Sequence, residues 1–142
     1  EGVPASFYVI AGPQALEKAD PALLRREVTE GHAVCIHTYS HNYKYLYPGN
    51  RASAENIVAD YDKAVGSVRK VLGDAYASHC QRYPGGHGWK AMEAADKAMQ
   101  AKDVWYLDWN SENGDGTDSA PGSGEGRAAR AMSTLGSART WR

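Results

Sequence analysis

Two histidines, His37 and His41, bracket Thr38, Tyr39 and Ser40. Neutral imidazole is the commonest protein ligand for zinc, and two rings this close in sequence can reach one ion. Helical zinc proteases use the same i, i+4 spacing, but they place Glu directly after the first His as general base. Thr38 stands there instead, so that chemistry is excluded. The spacing equally allows two histidines that cap a strand end by hydrogen bonds to backbone. Arg82 precedes Tyr83, Pro84, Gly85 and Gly86. Its guanidinium suits a bidentate grip on a carboxylate, and the glycines leave the Tyr83 and Gly85 N–H groups open to a ligand oxygen. An ordinary turn beside a surface arginine has the same sequence. Asp108, Glu112 and Asp115 are acids near Trp109, each open to catalytic, orienting or merely solvated roles. His32, His79 and His87 lack comparable partner spacing and read as surface or loop residues. Gly122-x-Gly124 follows no strand and is discarded as a dinucleotide fingerprint.

The elements that must position these residues alternate. Ala5–Ile10 reads as a mostly buried strand. Asp20-Pro21 and Gly31 bound a helix over 21–30. Ala33–Ile36 is a second buried strand running into His37. Residues 42–51 are polar and tyrosine-rich, with Pro48-Gly49 as a turn signal. The clearest helix is 53–72, where Ile57, Tyr61, Ala64, Val65, Val68 and Leu72 keep helical spacing before Gly73. A short third strand reaches Arg82-Tyr83-Pro84. A helix over 88–101 carries Met92, Ala95 and Met99 on one stripe, Val104–Leu107 is a fourth strand, and a last helix is expected over 127–135. This β-α-β-α order predicts parallel strands covered by helices, as an open sheet or a barrel. Ligands gather at the carboxyl ends of such strands, where the histidines, Arg82 and Asp108 all fall.

The chain has 142 residues, read as one domain over 1–142, with 42% hydrophobic and 23% charged residues. Those proportions exclude a disordered tail, and no apolar run is long enough for a membrane span. The net charge of −1 leaves no basic excess for a nucleic-acid surface. No charged segment followed by an apolar one marks a signal peptide in this chain. Cys35 and Cys80 are too few for a disulfide scaffold; a single bridge and two small buried hydrophobes are both open. Nine Tyr and four Trp against one Phe lean towards polar, ring-shaped ligands such as sugars.

Taken in order, the motifs resemble those of the polysaccharide deacetylases, the NodB homology domain. His37-Thr38-Tyr39-Ser40-His41 fits the family's H-[ST]-x-x-H, Arg82-Tyr83-Pro84-Gly85-Gly86 resembles its R-x-P motif, and Asp108-Trp109-Asn110 through Asp115 resembles its Asp/Trp-rich strand end. Gly2–Ile10 is similar to its second strand. The resemblance spans nearly the whole chain.

It implies a partial distorted (β/α) barrel of α/β class, and a divalent metal, commonly zinc, held by His37, His41 and an Asp. The metal would lower a water's pKa towards about 7 and polarise the carbonyl of a sugar's N-acetyl or O-acetyl group. Arg82, Tyr83 and Asp115 would be catalytic, with the Tyr83 N–H holding the oxyanion. Pro84, Gly85 and Trp109 would line the substrate site, and Thr38 would support the metal ligands. The implied partner is an acetylated polysaccharide, peptidoglycan or chitin-like, in the cell envelope or outside the cell.

Two departures stand beside these matches. The family's Asp-Asp motif, source of the third ligand and the general base, has no counterpart, and no His follows His87 to serve its L-x-H motif. Both fall at the chain ends, so a catalytic domain lacking its first and last strands is expected, with exposed sheet edges open to oligomer formation. A non-catalytic carbohydrate-binding module or an inactive fragment on the same scaffold is the alternative.

Overall fold

The computed structural model describes residues 2–112, 114 and 122–135. Contacts group the chain into two compact units, Glu1–Leu107 and Asp108–Arg142. The first contains β1 (Ser6–Val9), α1 (Pro21–Thr29), β2 (Ala33–Ile36), α2 (Tyr43–Leu46), α3 (Ala54–Leu72), β3 (Cys80–Gln81), α4 (Met92–Gln100) and β4 (Trp105–Tyr106).

The strands form one four-stranded sheet in the order β1-β2-β3-β4, with every neighbouring pair parallel. Spatial order follows chain order without reversal. Right-handed crossovers then place the connecting helices α1, α3 and α4 on one face, as in a barrel wall and unlike a doubly wound sheet. Burial agrees with this: Val34 and Ile36 join Leu24, Ile57, Val68 and Met99 in the core beneath the helices. Cys35, between them in sequence, points to the other face as strand alternation requires. Leu46, Val68 and Met99 are at most 1% exposed, and burial of each contributes about 1.5–3 kcal/mol.

Local signals explain the helix ends. Asp20 accepts from the Ala22 N–H at 2.9 Å and Pro21 opens α1. The Ser53 hydroxyl accepts from Asn56 N–H and Gly73 closes α3. The fourth helix begins at Met92, later than its sequence pattern predicts, because Ala91 takes a left-handed turn (φ 59°) and Lys90 is engaged in a bridge with Arg51.

One expectation is corrected. The first strand is not mostly buried: Phe7 is 40% exposed, because β1 is an edge strand with β2 as its neighbour in the sheet. Within the tyrosine-rich stretch, Asn42 caps the single turn α2 by accepting from Tyr45 N–H, and Leu46 is fully buried.

In the second unit, α5 (Gly124–Leu135) is joined to the preceding chain by Ser111, whose hydroxyl donates to the Ala131 carbonyl at 2.6 Å. Among the described residues no helix is long and apolar enough to cross a membrane.

Candidate functional site

The site begins with sheet register. Ile36 faces Gln81 across β2 and β3, so Cys35 and Cys80 are opposed; their Cα atoms are 5.3 Å apart and a disulfide joins them. The bridge answers the question that the sequence left open. Two residues further along each strand the alternation brings His37 and Arg82 together, and His37 Nδ1 lies 2.8 Å from the Arg82 carbonyl oxygen. A carbonyl can only accept, so Nδ1 carries the proton and Nε2 keeps its lone pair. Burial pushes the His37 imidazole below its usual pKa, with the charges of His41 and Arg82 acting in the same direction against the backbone hydrogen bond. The ring is therefore neutral near neutral pH.

The chain after His37 turns sharply. Thr38 (φ 68°) and His41 (φ 48°) both adopt left-handed backbone, a cost of order 1–3 kcal/mol each that surrounding contacts must offset. Asp60 of α3, 2% exposed, supplies those contacts. Its carboxylate accepts from Tyr39 N–H at 2.6 Å and from Ser40 N–H at 3.2 Å. The Thr38 hydroxyl accepts from His41 N–H at 3.1 Å. Across this loop the His37 and His41 ring centroids are 5.0 Å apart with planes at 63°.

The Arg82–Gly86 turn lies alongside. Arg82 N–H donates to the Ile36 carbonyl at 2.9 Å, its Nε donates to the Leu107 carbonyl at 2.8 Å, and its guanidinium lies 3.9 Å from the Tyr8 ring centroid. Among the described residues no carboxylate pairs with it. No backbone carbonyl among them accepts from the Tyr83 N–H. One carboxylate of α4 anchors both ends of the turn: Asp96 accepts from the Tyr83 hydroxyl at 3.0 Å and lies 2.7 Å from His87 Nε2. Burial and Asp96 together push the Tyr83 phenol well above its usual pKa. Trp89 Nε1 donates to the Pro84 carbonyl at 3.0 Å. At Gly85 (φ 73°) a Cβ would come within 3.1 Å of both the Tyr43 and Trp89 rings, so a side chain there is excluded by space as well as by backbone.

Within the first unit the structure thus gathers His37, Thr38 and His41, and sets the Arg82–Gly85 turn against His37. Trp109 belongs to the second unit, where its Nε1 donates to Glu112 at 3.2 Å. Asp115 lies outside the described residues. Sequence reasoning missed Asp60 and Asp96. Asp60 sits on the apolar stripe of α3 between Ile57 and Ala64, and a carboxylate on a buried stripe signals a partner in need of an acceptor. His87, read as an ordinary loop residue, is in fact stacked on Tyr106 at 4.2 Å and held by Asp96.

The donor set can be tested against a divalent ion. Two imidazoles bound through nitrogen at about 2.0–2.1 Å, at a tetrahedral angle, have ring centroids about 5 Å apart. The 5.0 Å spacing, the free Nε2 of His37 and its neutral state fit that requirement. Among the described residues the set is a pair, with no group of three His, Cys, Asp or Glu placed to hold an ion.

The family model for polysaccharide deacetylase matches residues 1–104. In structure the chain is similar to a CE4 esterase from Streptococcus mutans (31% identity, 94% of this chain and 56% of that one, TM-score 0.83). It is also similar in fold to the catalytic domain of the peptidoglycan N-acetylglucosamine deacetylase from Eubacterium rectale (22% identity, 95% and 60%, TM-score 0.72). A third similar fold is a family 4 acetyl xylan esterase from Clostridium thermocellum, in complex with a cobalt ion (20% identity, 93% and 56%, TM-score 0.67). The chain therefore spans between 56% and 60% of the length of these structures. No curated protein matches it in sequence. With a family match across most of its length, and with the parallel sheet of the NodB-type structures it resembles, this chain belongs to the polysaccharide deacetylase family.

Proposed function

We propose that the chain forms a single deacetylase-type domain that acts in metal-dependent hydrolysis of acetyl groups on sugars of a cell-wall polysaccharide, with peptidoglycan N-acetylglucosamine the favoured substrate. The observation that carries this reading is the His37–His41 pair, at the spacing two imidazoles need on one ion, set against the Arg82–Gly86 turn.

His37 and His41 would hold the ion, zinc being favoured, and a third ligand would come from an Asp that the described residues do not bring to the pair. When bound, a divalent ion supplies Lewis acidity for a carbonyl and a more acidic water. The chain's own residues do the rest. The Arg82 carbonyl fixes the His37 tautomer, and the Thr38 hydroxyl and the Asp60 carboxylate hold the loop that aims His41. The Tyr83 N–H donates to the oxygen on which negative charge develops. Arg82 would orient the catalytic carboxylate with the part of its guanidinium not used on Leu107. Pro84 and Gly85 would bound the sugar; the family resemblance gives Trp109 a substrate role and Asp115 a catalytic one. The Cys35–Cys80 bridge supports an oxidising location, in the cell envelope or outside the cell.

The test is calorimetric titration of the chain with Zn2+ or Co2+, alongside acetate release from N-acetylglucosamine oligomers. His37→Ala and His41→Ala should each weaken the metal by about 100-fold or more, since even partners outside the ligand set are worth 10–100-fold. Acetate release should fall in step. Oligomers that bind without metal, unaffected by His37→Ala and with no acetate released, would make the chain a carbohydrate-binding module instead.

A further inference from the structure

Tyr43 touches both halves of the candidate site. Its ring meets His41 edge-on, with centroids 5.4 Å apart, and leans on Trp89 at 5.6 Å. Its Cε1 also stands over Gly85, where a Cβ would come within 3.1 Å. It closes a strip of rings running from His37 through His41 and Tyr43 to Trp89, which stacks on Tyr47 at 4.4 Å. Despite these contacts Tyr43 remains 40% exposed.

Two grooves meet at this ring. One, of about 460 Å3, is lined by His41 together with Gln14, Ser40 and Asn42. The other, of about 220 Å3, runs past Trp89 to Asn50. Tyr43 and Lys44 line both. An aromatic wall beside amide- and hydroxyl-bearing residues suits a pyranose ring. Such a sugar presents C–H groups on its faces, which an aromatic π-face attracts, and hydroxyls around its edge.

We infer that Tyr43 is a sugar-stacking platform outside the metal pair: it takes the saccharide unit adjoining the one presented to His37 and His41, and passes the chain over Lys44 towards Trp89 and Asn50. This rests on the polysaccharide reading proposed above and names the part of the substrate beyond the reacting sugar. Trp89 cannot serve as the clean probe of it, because its Nε1 also holds the Pro84 carbonyl.

The experiment titrates the full chain with N-acetylglucosamine, its dimer and its tetramer by calorimetry, with sugar proton shifts followed by NMR. The wild type should bind more tightly with length, and the tetramer's C–H protons should move upfield under the Tyr43 ring. Tyr43→Ala should weaken the tetramer by about tenfold and flatten the length dependence. Tyr43→Phe, which keeps the ring, should restore both. A tetramer that does not bind the wild type, a Tyr43→Ala protein that binds it as the wild type does, or a Tyr43→Phe protein as weak as Tyr43→Ala overturns the inference. Titration with Zn2+ separates the two readings. If zinc binds while Tyr43→Ala is silent, the platform alone is wrong. If zinc does not bind yet Tyr43 governs tetramer affinity, the platform stands and the metal-dependent reading falls.

Discussion

The ring of His37 is braced by the carbonyl of Arg82, 2.8 Å away and just past the end of the neighbouring strand. The orientation of one candidate ligand therefore depends on how two strands are held side by side. Only Cys80 and Gln81 form β3, so the ladder is short, and the Cys35–Cys80 bridge just before the contact does much of the holding. Its consequence can be measured. Closing a loop of 45 residues is worth about 4 kcal/mol in the chain-entropy account. Reduction, or the pair Cys35→Ala with Cys80→Ala, should lower the denaturant midpoint accordingly. Divalent-ion affinity should fall with it. Unchanged affinity in a folded, reduced protein would show that the strands keep register without the bond.

Asp60 carries the loop between the histidines on its carboxylate. Asp60→Asn keeps the size of the side chain but removes its charge and one acceptor. Hydrogen bonds to a charged group are worth about 1.5–3 kcal/mol, and outer partners of metal ligands about 10–100-fold in affinity. A lowered melting temperature together with zinc affinity down by at least tenfold is the expected result. A loss of stability alone would separate the loop from the ion.

Gly85 and Gly49 have similar left-handed backbones, with φ of 73° and 60°, but different surroundings. A Cβ at Gly49 meets nothing within 4 Å, whereas one at Gly85 meets both Trp89 and Tyr43. Gly49→Ala should cost only the backbone term of about 1–2 kcal/mol. Gly85→Ala should cost more and should perturb tryptophan fluorescence. Equal midpoints in urea for the two variants would count against the packing described around Gly85.

Burial raises the Tyr61 hydroxyl to about 12, while the same group in the unfolded chain ionises near 10. The folded protein holds this proton more tightly. Its contribution to stability is therefore complete below pH 10 and is lost as pH rises from about 10 to about 12. Tyr76 and Tyr83, also raised by burial, act in the same direction. Urea midpoints measured across this interval should fall, and Tyr61→Phe should fall less steeply. It should also start lower by about 1 kcal/mol for the lost bond to the Ser78 carbonyl.

The parallel order of elements and the His37–His41 and Arg82–Gly86 motifs were legible because they rest on local signals: caps, periodic stripes and short spacings. The features that escaped are non-local. An apolar run such as Ala5–Ile10 says nothing about how many neighbours a strand will have, so the exposure of Phe7 was invisible. The 45-residue interval between the cysteines fixes no distance; only the register of β2 against β3 does. Asp60 and Asp96 look like interruptions in apolar stripes until the backbone and side-chain groups they serve are brought to them by the fold. One turn of helix in a polar stretch, as in α2, is too short to show a period at all.

The reach of Asp60 across to Tyr39 and Ser40 also fixes where the chain can tolerate a change of length. One residue inserted in α3 between Ser53 and Asp60 would swing the carboxylate by about 100° around the helix axis, leaving the Tyr39 and Ser40 N–H groups without their acceptor. The same insertion beyond Gly73, in the link to β3, would leave that geometry untouched. In descendants of this chain, insertions and deletions should therefore accumulate after the helix and be purged from its first two turns.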